Sequence, residues 1–345
     1  MGKNTGNLLF TNAMFRQFEG QVDAVGFGFD PKVVNQTYDA LLIPAANWLN
    51  AGANWQFLID LLEKVEIPVV TIGLGLQAAT EDMDAVRVSD SAVALARLMS
   101  AKGAFISTRG TFARDWLASI GISNVVATGC PSLYMRFQPD TTVEAHDTVV
   151  IQSTRYANSQ RFIDTGGLNA DLFDLAARLD AAMIFQSEME EIDLLVYGAA
   201  SDAREKASTA LLPRLYGLSD PTEFDDWLQR RGKVFFDVDE WATFVRGSAG
   251  VIGTRLHGTI MALNNGRPGV LIGHDSRTSE LIRFAGIPTL APDTDFRALD
   301  LRAVRHLLSA ADLDGFEERR RENAVVYREF AQANGLAIKA GALQE

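Results

Sequence analysis

Cysteine is nearly absent from this sequence, which contains only Cys130. A single thiol cannot form an intrachain disulfide or a cluster of cysteine ligands. The histidines do not replace it, because their spacing matches no zinc-binding pattern. They are His146, His257, His274 and His306. We therefore predict no disulfide, no bound metal and a reducing compartment.

Long hydrophobic runs are also missing. No stretch reaches about 18 uninterrupted apolar residues, the length that a membrane-spanning helix requires. The opening residues, MGKNTGNLLF, have no apolar core or cleavage pattern of a signal peptide. These absences predict a cytoplasmic protein without an integral membrane span.

Positive charge is in short supply. The chain has 32 Lys and Arg against 44 Asp and Glu, a formal net charge of −12. Such an acidic chain is poorly suited to nucleic acid or anionic membranes, so we predict no nucleic-acid partner. If the ligand is an anion, the cations that bind it must be gathered locally.

Short apolar runs alternate with amphipathic stretches, which predicts strands and helices in series and therefore an α/β fold with parallel sheets. In the first half the predicted strands are 24–29, 40–44, 68–72, 104–107 and 124–127. The helices predicted between them are 8–18, 55–64, 90–99 and 111–120.

A polar segment without periodicity, residues 138–147, is predicted to be a linker. A second alternating series follows it and ends in helices at 279–285 and 301–334, the latter broken near 312–315. The sequence therefore predicts two Rossmann-like, doubly wound domains, 1–140 and 141–345, that face each other across a cleft. In such folds ligands bind beyond the carboxyl ends of the strands.

The segment Gly253–Gly258, GTRLHG, places Arg255 and His257 between a predicted strand and a predicted helix. Backbone N–H groups and the helix dipole at such a point favour anions. Arg255 adds a planar fork for carboxylate or phosphate, and His257 can transfer a proton near neutral pH. Alternatively, His257 caps the helix and Arg255 pairs with a neighbouring acid. The residues alone leave both interpretations open.

Other candidate residues also follow predicted strands. Arg109 follows a strand of the first half, and Arg277 lies in the first turn of a helix that Asp275 or Ser276 can cap. Gln77 follows a glycine-containing turn and could reach a sugar hydroxyl. In the turn that precedes the first helix, the polar or small residues that could approach a ligand are Asn4, Gly6 and Asn7.

Taken in order, these segments resemble the polysaccharide pyruvyl transferase family. The resemblance rests on NTGN at 4–7, STRGTFARD at 107–115, GCPSL at 129–133, GTRLHG at 253–258 and PGVLIGHDSRT at 268–278. The Arg-Leu-His triplet is the most specific of them. The chain departs from the family in having IPAAN at 43–47, where many members have glycines, and Arg277, where many have lysine.

The resemblance implies a GT-B-like architecture, with the first domain on the acceptor side and the second on the side of phosphoenolpyruvate. It also implies that the last helices pack back on the first domain. The reaction would move a pyruvyl group from phosphoenolpyruvate to a sugar of a cell-surface polysaccharide or its precursor, lipid-linked or free. The product is a pyruvate ketal, and no cofactor is required.

The resemblance also implies roles for single residues. Arg255 and His257 would be catalytic, and phosphoenolpyruvate would contact both of them together with Arg109 and Arg277. Whether His257 acts as acid or base stays open. Contacts to the acceptor or through the backbone are expected from Asn4, Gly6, Asn7 and Gln77. Two alternatives are a GT-B-type glycosyltransferase that uses a nucleotide sugar and a non-catalytic homologue that binds glycan.

Overall fold

The computed structural model describes residues 4–78, 82–137, 143, 145–155, 167–202, 209–273 and 275–344. The chain divides into two compact units. Unit 1 comprises Met1–Leu9, Phe137–Gly273 and Ile287–Leu313. Unit 2 comprises Phe10–Arg136, His274–Gly286 and Asp314–Glu345.

In its described residues, unit 2 contains four short parallel strands. They are β1 (Leu41–Pro44), β2 (Val69–Ile72), β3 (Ile106–Thr108) and β4 (Val125–Ala127). β1 pairs with β2 and β3 with β4, while Leu74 pairs with Thr108 and so connects the two pairs. The helices of the first half are α1 (Asn7–Gln17), α2 (Pro31–Thr37), α3 (Gln56–Leu62), α4 (Asp90–Lys102) and α5 (Thr111–Ser119).

The sequence of α4 accounts for its position in unit 2. The side chain of Ser89 caps the helix by accepting a hydrogen bond from the Ala92 amide, and Gly103 ends it. Its buried residues recur with helical spacing and face the core of the unit. They are Ala92, Leu95, Ala96 and Met99.

The predicted strand at 24–29 is wrong. The structure has no strand between residues 21 and 30, a part of the chain that is described throughout. Two of its apolar side chains, Val25 and Phe27, are 40% and 56% exposed. They alternate with Gly26 and Gly28, and glycine weakens a strand because it contributes no packing and loses much backbone freedom.

The part of unit 1 that the structure describes has one sheet of six parallel strands. They are β5 (Val149–Gln152), β6 (Ala182–Ile184), β7 (Gly232–Lys233), β8 (Gly250–Gly253), β9 (Gly269–Ile272) and β10 (Thr289–Leu290). Their order is β10-β9-β8-β5-β6-β7. The chain therefore builds outward from β5 to β7, then returns to the other side of β5 and builds from β8 to β10. This is the Rossmann strand order, and its switch point lies between β5 and β8.

Helices accompany the sheet of unit 1, and all residues of β5 and β8 are buried. Burial on both faces explains why these strands read as continuous VVI and GVI runs instead of alternating patterns. The helices are α6 (Leu168–Arg178), α7 (Met189–Tyr197), α8 (Leu212–Leu215), α9 (Pro221–Arg231), α10 (Val238–Gly247), α11 (Leu256–Asn264) and α13 (Leu301–Ser309). The prediction of two Rossmann-like α/β units is confirmed.

Each unit is built from three segments of the chain. Unit 1 resumes at Phe137, close to the predicted boundary after residue 140, but the segment Met1–Leu9 groups with it. Conversely, the segment that contains α12 (Ser276–Ala285) groups with unit 2. Most of α14 (Leu313–Ala333) also groups with unit 2. Its Tyr327 stacks there on Tyr134, with 4.8 Å between the ring centres.

Candidate active site at the switch point of unit 1

Three loops leave the carboxyl ends of neighbouring strands at the switch point of unit 1. The loop after β5 begins at Ser153, the loop after β6 at Phe185 and the loop after β8 at Thr254. Because β6, β5 and β8 are adjacent and parallel, all three loops emerge at the same edge of the sheet. This is the place where an open α/β sheet binds its ligand.

The loop after β8 leads directly into α11, as the sequence predicted. Arg255 is the N-cap residue, with extended backbone angles, and its side chain forms no capping hydrogen bond. His257 is therefore the second residue of the helix, and its side chain is only 8% exposed. The N–H groups of this first turn and the helix dipole together favour a negatively charged ligand. His257 lies in the same turn.

Arg255 connects the three loops. Its Nε donates a hydrogen bond to the carbonyl of Ser153 at 2.9 Å, and Nη2 donates to the hydroxyl of Ser187 and the carboxylate of Glu188. The side chains of Arg255 and Glu188 are 4% and 1% exposed, so this is a buried ion pair. Of the two interpretations that the sequence left open for Arg255, the structure favours the pairing with an acid.

Glu188 is held in its charged form. Burial alone would raise its pKa, but the charge of Arg255 and backbone N–H donors outweigh that effect and hold the pKa below its usual value. The amides of Gln186, Ser187 and Arg155 donate to its two oxygens at 2.9, 3.1 and 3.1 Å. The positive charge of Arg255 is thus balanced within the protein.

A second buried pair lies beside the first and was not predicted from the sequence. Nη1 of Arg155 donates to Glu190 at 2.7 Å, and Nη2 donates to Glu191. The hydroxyl of Tyr216 also donates to Glu191, at 3.1 Å. Burial raises the pKa of Glu191 to about 7. The negative charges of Glu188 and Glu190 add to this rise, and the positive charge of Arg155 opposes it.

Two buried amide side chains connect the loops further. Nε2 of Gln186 lies 3.5 Å from Oε1 of Gln152, at the limit for a hydrogen bond. Among the described residues, Nε2 of Gln152 has no hydrogen-bond partner. A Cβ on Gly258 would overlap the Gln152 carboxamide. Glycine at position 258 therefore allows the first turn of α11 to approach Gln152 closely.

The Asn-Thr-Gly-Asn turn is positioned on the loop after β6. The amide of Thr5 donates to the carbonyl of Gln186 at 2.8 Å, and Asn4 Oδ1 accepts from the Gly6 amide at 2.9 Å. A Cβ on Gly6 would overlap the side chain of Gln186. Asn7 begins α1. The structure thus brings this turn to the edge of the sheet that carries Arg255 and His257, while its contact with a ligand stays a prediction.

Asn169, near the start of α6, completes the polar arrangement. Its Oδ1 accepts from the hydroxyl of Thr254 at 2.8 Å and from the amide of Thr154 at 3.2 Å. Its carbonyl accepts from the hydroxyl of Ser153 at 2.7 Å. The N-termini of α6 and α11 are therefore both held at the switch point, where their dipoles add.

In unit 2, Arg109 lies at the carboxyl ends of the strands. It is 6% exposed, and its Nε donates to the carbonyl of Gly73 at 3.1 Å. Longer contacts, of 3.4 and 3.5 Å, reach Asn47 Oδ1 and the carbonyl of Ala45, and the guanidinium lies 5.8 Å from the ring centre of Phe10. Backbone carbonyls and the Asn47 side chain thus help to fix the guanidinium of Arg109.

The remaining predicted residues are placed less fully. Gln77 is exposed and follows β2. Arg277 is the second residue of α12, but its side chain, like the whole of His274, lies outside the described part of the chain. Of the two residues that could cap this helix, Asp275 does so, because its side chain accepts from the Thr278 amide at 2.9 Å.

The family model described as polysaccharide pyruvyl transferase matches residues 4–276. The chain belongs to the polysaccharide pyruvyl transferase family. The matched region includes the turn at Asn4, Arg109 and the Arg255–His257 triplet, and it ends one residue before Arg277. The family is one of transferases. No curated protein sequence matches the chain.

Several solved structures are similar in fold. UDP-N-acetylglucosamine 2-epimerase from Rickettsia bellii is 14% identical, with 88% of this chain and 75% of that chain covered and a TM-score of 0.47. The Methanocaldococcus jannaschii UDP-GlcNAc 2-epimerase is 12% identical, covering 94% and 80%, with a TM-score of 0.46. The glycosyltransferase SnogD from Streptomyces nogalater is 14% identical, covering 96% and 81%, with a TM-score of 0.41. At these values the likeness concerns the fold alone.

Within the part of the chain that the structure describes, no helix is both long enough and apolar enough to cross a membrane.

Proposed function

We propose that this family member transfers a pyruvyl group from phosphoenolpyruvate to a sugar of a cell-surface polysaccharide or its precursor, forming a pyruvate ketal. The observation that carries the proposal is the position of His257, in the first turn of α11 at the switch point of a Rossmann sheet. That position combines a proton-transferring side chain with backbone donors suited to an anionic donor substrate.

Phosphoenolpyruvate presents a carboxylate and a phosphate on one small molecule. The N-termini of α11 and α6 supply the positive ends of two helix dipoles at the proposed donor site. An anion at one such terminus gains about 0.3–1 kcal/mol, and up to about 2 kcal/mol in a partly buried geometry. Glu188 already neutralises the charge of Arg255. We therefore propose that the anionic substrate binds at these helix N-termini and not at the guanidinium of Arg255.

Arg255 then acts on the substrate through the loops that it connects. Its guanidinium fixes the carbonyl of Ser153 and the side chains of Ser187 and Glu188, and it is also the residue from which α11 starts. Holding these loops keeps His257 and the helix amides in one orientation before the substrate arrives. Such preorganisation lowers the barrier, because no reorganisation is needed during the reaction.

In the proposed reaction a proton is added to the methylene carbon of phosphoenolpyruvate, and a sugar hydroxyl attacks the central carbon. The resulting tetrahedral phospho-ketal loses its phosphate by cleavage of the carbon–oxygen bond. A second hydroxyl of the sugar forms the other carbon–oxygen bond and closes the ketal. The two hydroxyl protons balance the proton gained by the methyl group and the proton carried away by phosphate. His257 is the group proposed to transfer protons at the central steps.

The predicted roles of Arg109 and Arg277 as ligands of phosphoenolpyruvate remain part of the proposal. Arg109 is fixed by backbone carbonyls and Asn47, so its guanidinium has a defined position. If Arg109 binds the donor, Arg109→Lys will raise the KM for phosphoenolpyruvate, because lysine cannot reproduce the planar fork. An unchanged KM in that variant would remove Arg109 from the donor site.

The proposal is tested by incubating the protein with phosphoenolpyruvate and a panel of free and lipid-linked β-galactosides and amino sugars. Mass spectrometry then detects the pyruvyl gain on the acceptor. Parallel reactions with nucleotide sugars test the glycosyltransferase alternative, and His257→Gln is the inactive control. We expect pyruvylation of at least one acceptor by the wild-type chain only. Glycosyl transfer from a nucleotide sugar without any pyruvyl transfer would overturn the proposal.

A further inference from the structure

An aromatic cluster lies at the loop that follows β1 in unit 2. It comprises Phe27, Trp48, Trp55 and Phe57, and we call it the aromatic platform. Trp48 and Trp55 lie 4.7 Å apart between ring centres, and Trp55 lies 6.2 Å from Phe57. Phe27 lies 6.1 Å from both Trp48 and Phe57. These separations are those of rings in direct contact, so the four form one continuous group.

The platform is anchored on one side and exposed on the other. Trp48 is 9% exposed, and its carbonyl accepts a hydrogen bond from Trp55 Nε1 at 3.0 Å. Phe27 and Phe57, by contrast, are 56% and 48% exposed. Two adjoining aromatic rings that face water, backed by two tryptophans, are unusual in a folded chain and indicate a binding surface.

The surroundings of the platform define the chemistry of its ligand. Between residues 45 and 60 the sequence has no lysine or arginine, and its one charged residue is Asp60. The polar side chains of this stretch are instead mostly amides. They are Asn47, Asn50, Asn54 and Gln56. Without a lysine or arginine, this stretch offers no charged partner for phosphate groups or an anionic membrane. Amides beside exposed rings suit a neutral ligand that has an apolar face and a rim of hydroxyls.

We propose that the aromatic platform binds a neutral sugar ring, which stacks its C–H face on Phe27 and is bordered by Phe57, whose ring is inclined at 75° to that of Phe27. The assignment of that sugar to the acceptor saccharide rests on the function proposed above. The platform adjoins the carboxyl edge of the unit 2 sheet, because Trp48 follows β1 closely and the neighbouring Asn47 accepts from Arg109. That edge is where parallel α/β sheets hold their ligands.

The platform contains its own reporter of binding. Of the five tryptophans, Trp48 and Trp55 lie in the platform. The other three, Trp116, Trp227 and Trp241, are buried at 6%, 3% and 1% exposure. Titration of the wild-type chain with methyl β-galactoside, lactose or N-acetylglucosamine, without phosphoenolpyruvate, should therefore change the tryptophan fluorescence through the platform.

Substitutions at Phe27 separate stacking from general hydrophobic contact. We expect Phe27→Leu to weaken binding of the best saccharide about tenfold, as for loss of one aromatic contact. Phe27→Trp restores a flat ring and should keep the affinity. The matched control is Phe236→Ala, which removes a ring that is 62% exposed in unit 1 and should leave binding unchanged. Phe57→Leu repeats the test at the second exposed ring.

Two results of the titration would overturn the inference. One is saccharide binding that Phe27→Leu and Phe57→Leu do not weaken. The other is a platform that responds to octyl β-galactoside but not to methyl β-galactoside, which would indicate an alkyl chain as its ligand.

Because the titration omits phosphoenolpyruvate, sugar binding without pyruvyl transfer would uphold the platform and refute only the proposed reaction. If transfer occurs, we expect Phe27→Leu to raise the KM for the acceptor and leave kcat unchanged, whereas an unchanged KM would refute the platform alone.

Discussion

The guanidinium of Arg255 and the carboxylate of Glu188 form a buried ion pair that joins the loops after β6 and β8. Arg255 also donates to the carbonyl of Ser153 after β5, so one side chain holds three adjacent strand ends together. A pair of this kind contributes more to geometry than to net binding of an anion, because its charges already satisfy each other.

We expect Glu188→Gln to destabilise the protein by about 3–5 kcal/mol, since it leaves a buried arginine without its counter-charge. Urea unfolding measures the change. The matched control is Asp147→Asn, which breaks the exposed pair of Asp147 with Arg305 in the same unit, with side chains 68% and 43% exposed. That variant should lose less than about 1 kcal/mol. Equal losses in the two variants would show that the buried pair has no special structural role.

Arg255→Lys keeps the positive charge but replaces a fork of several donors by a single ammonium group. The three contacts to Ser153, Ser187 and Glu188 cannot all be retained. We expect kcat to fall about tenfold or more, because misplacement of the loops misplaces His257. Steady-state kinetics with phosphoenolpyruvate as the varied substrate gives both constants. A rise in KM with unchanged kcat would instead indicate that Arg255 binds the donor directly.

The buried carboxyl of Glu191 predicts a pH dependence of stability. Its pKa is about 7 in the folded chain, against an ordinary value of 4.5, so the folded state holds the proton more tightly. Its stabilising effect is complete below pH 4.5 and is lost as the pH rises through 7. Relative to Glu191→Gln, the wild type should lose about 2–3 kcal/mol between about pH 5 and 8, at about 1.4 kcal/mol per pKa unit.

Urea unfolding of both proteins across that pH range provides the measurement. Glu188, with a lowered pKa, and Tyr216, with a pKa well above 10, do not titrate within it. Parallel stability curves for the wild type and Glu191→Gln would contradict a raised pKa at Glu191.

Gly258→Ala tests the close approach of α11 to Gln152. The added methyl group would overlap the Gln152 carboxamide, and we expect a loss of about 1–3 kcal/mol from overpacking. Combining it with Gln152→Ala should recover part of this loss, since the second change removes the obstruction. Gly28→Ala is the control, because no atom lies within 4 Å of its added Cβ. Additive losses in the double variant would argue against the overlap.

Much of the architecture is readable from the sequence because it depends on local patterns. The apolar runs of β5, β8 and β9, the cap at Asp275 and the strand end before Arg255 all follow from short-range periodicity and turn chemistry. The strand predicted at 24–29 fails because a strand needs a neighbour to pair with, and the sequence does not record whether one is present.

The partners within the site could not be predicted in this way. Glu188 and Arg255 are 67 positions apart, and only the strand order β6-β5-β8 brings them together. From the sequence alone, the three acids at 188, 190 and 191 resemble an ordinary acidic first turn of a helix. The residues alone therefore left open whether Arg255 faces a ligand or pairs with an acid, and only the fold identifies Glu188 as its partner.

The central claim is that His257 transfers protons during pyruvyl transfer at the first turn of α11. Its most direct test compares phosphate release from phosphoenolpyruvate, with an acceptor identified by mass spectrometry, between the wild type and His257→Gln. We expect the rate to fall about 100-fold or more, while the free energy of unfolding in urea changes by less than about 2 kcal/mol. An unchanged rate of phosphate release in a folded His257→Gln chain would contradict the account.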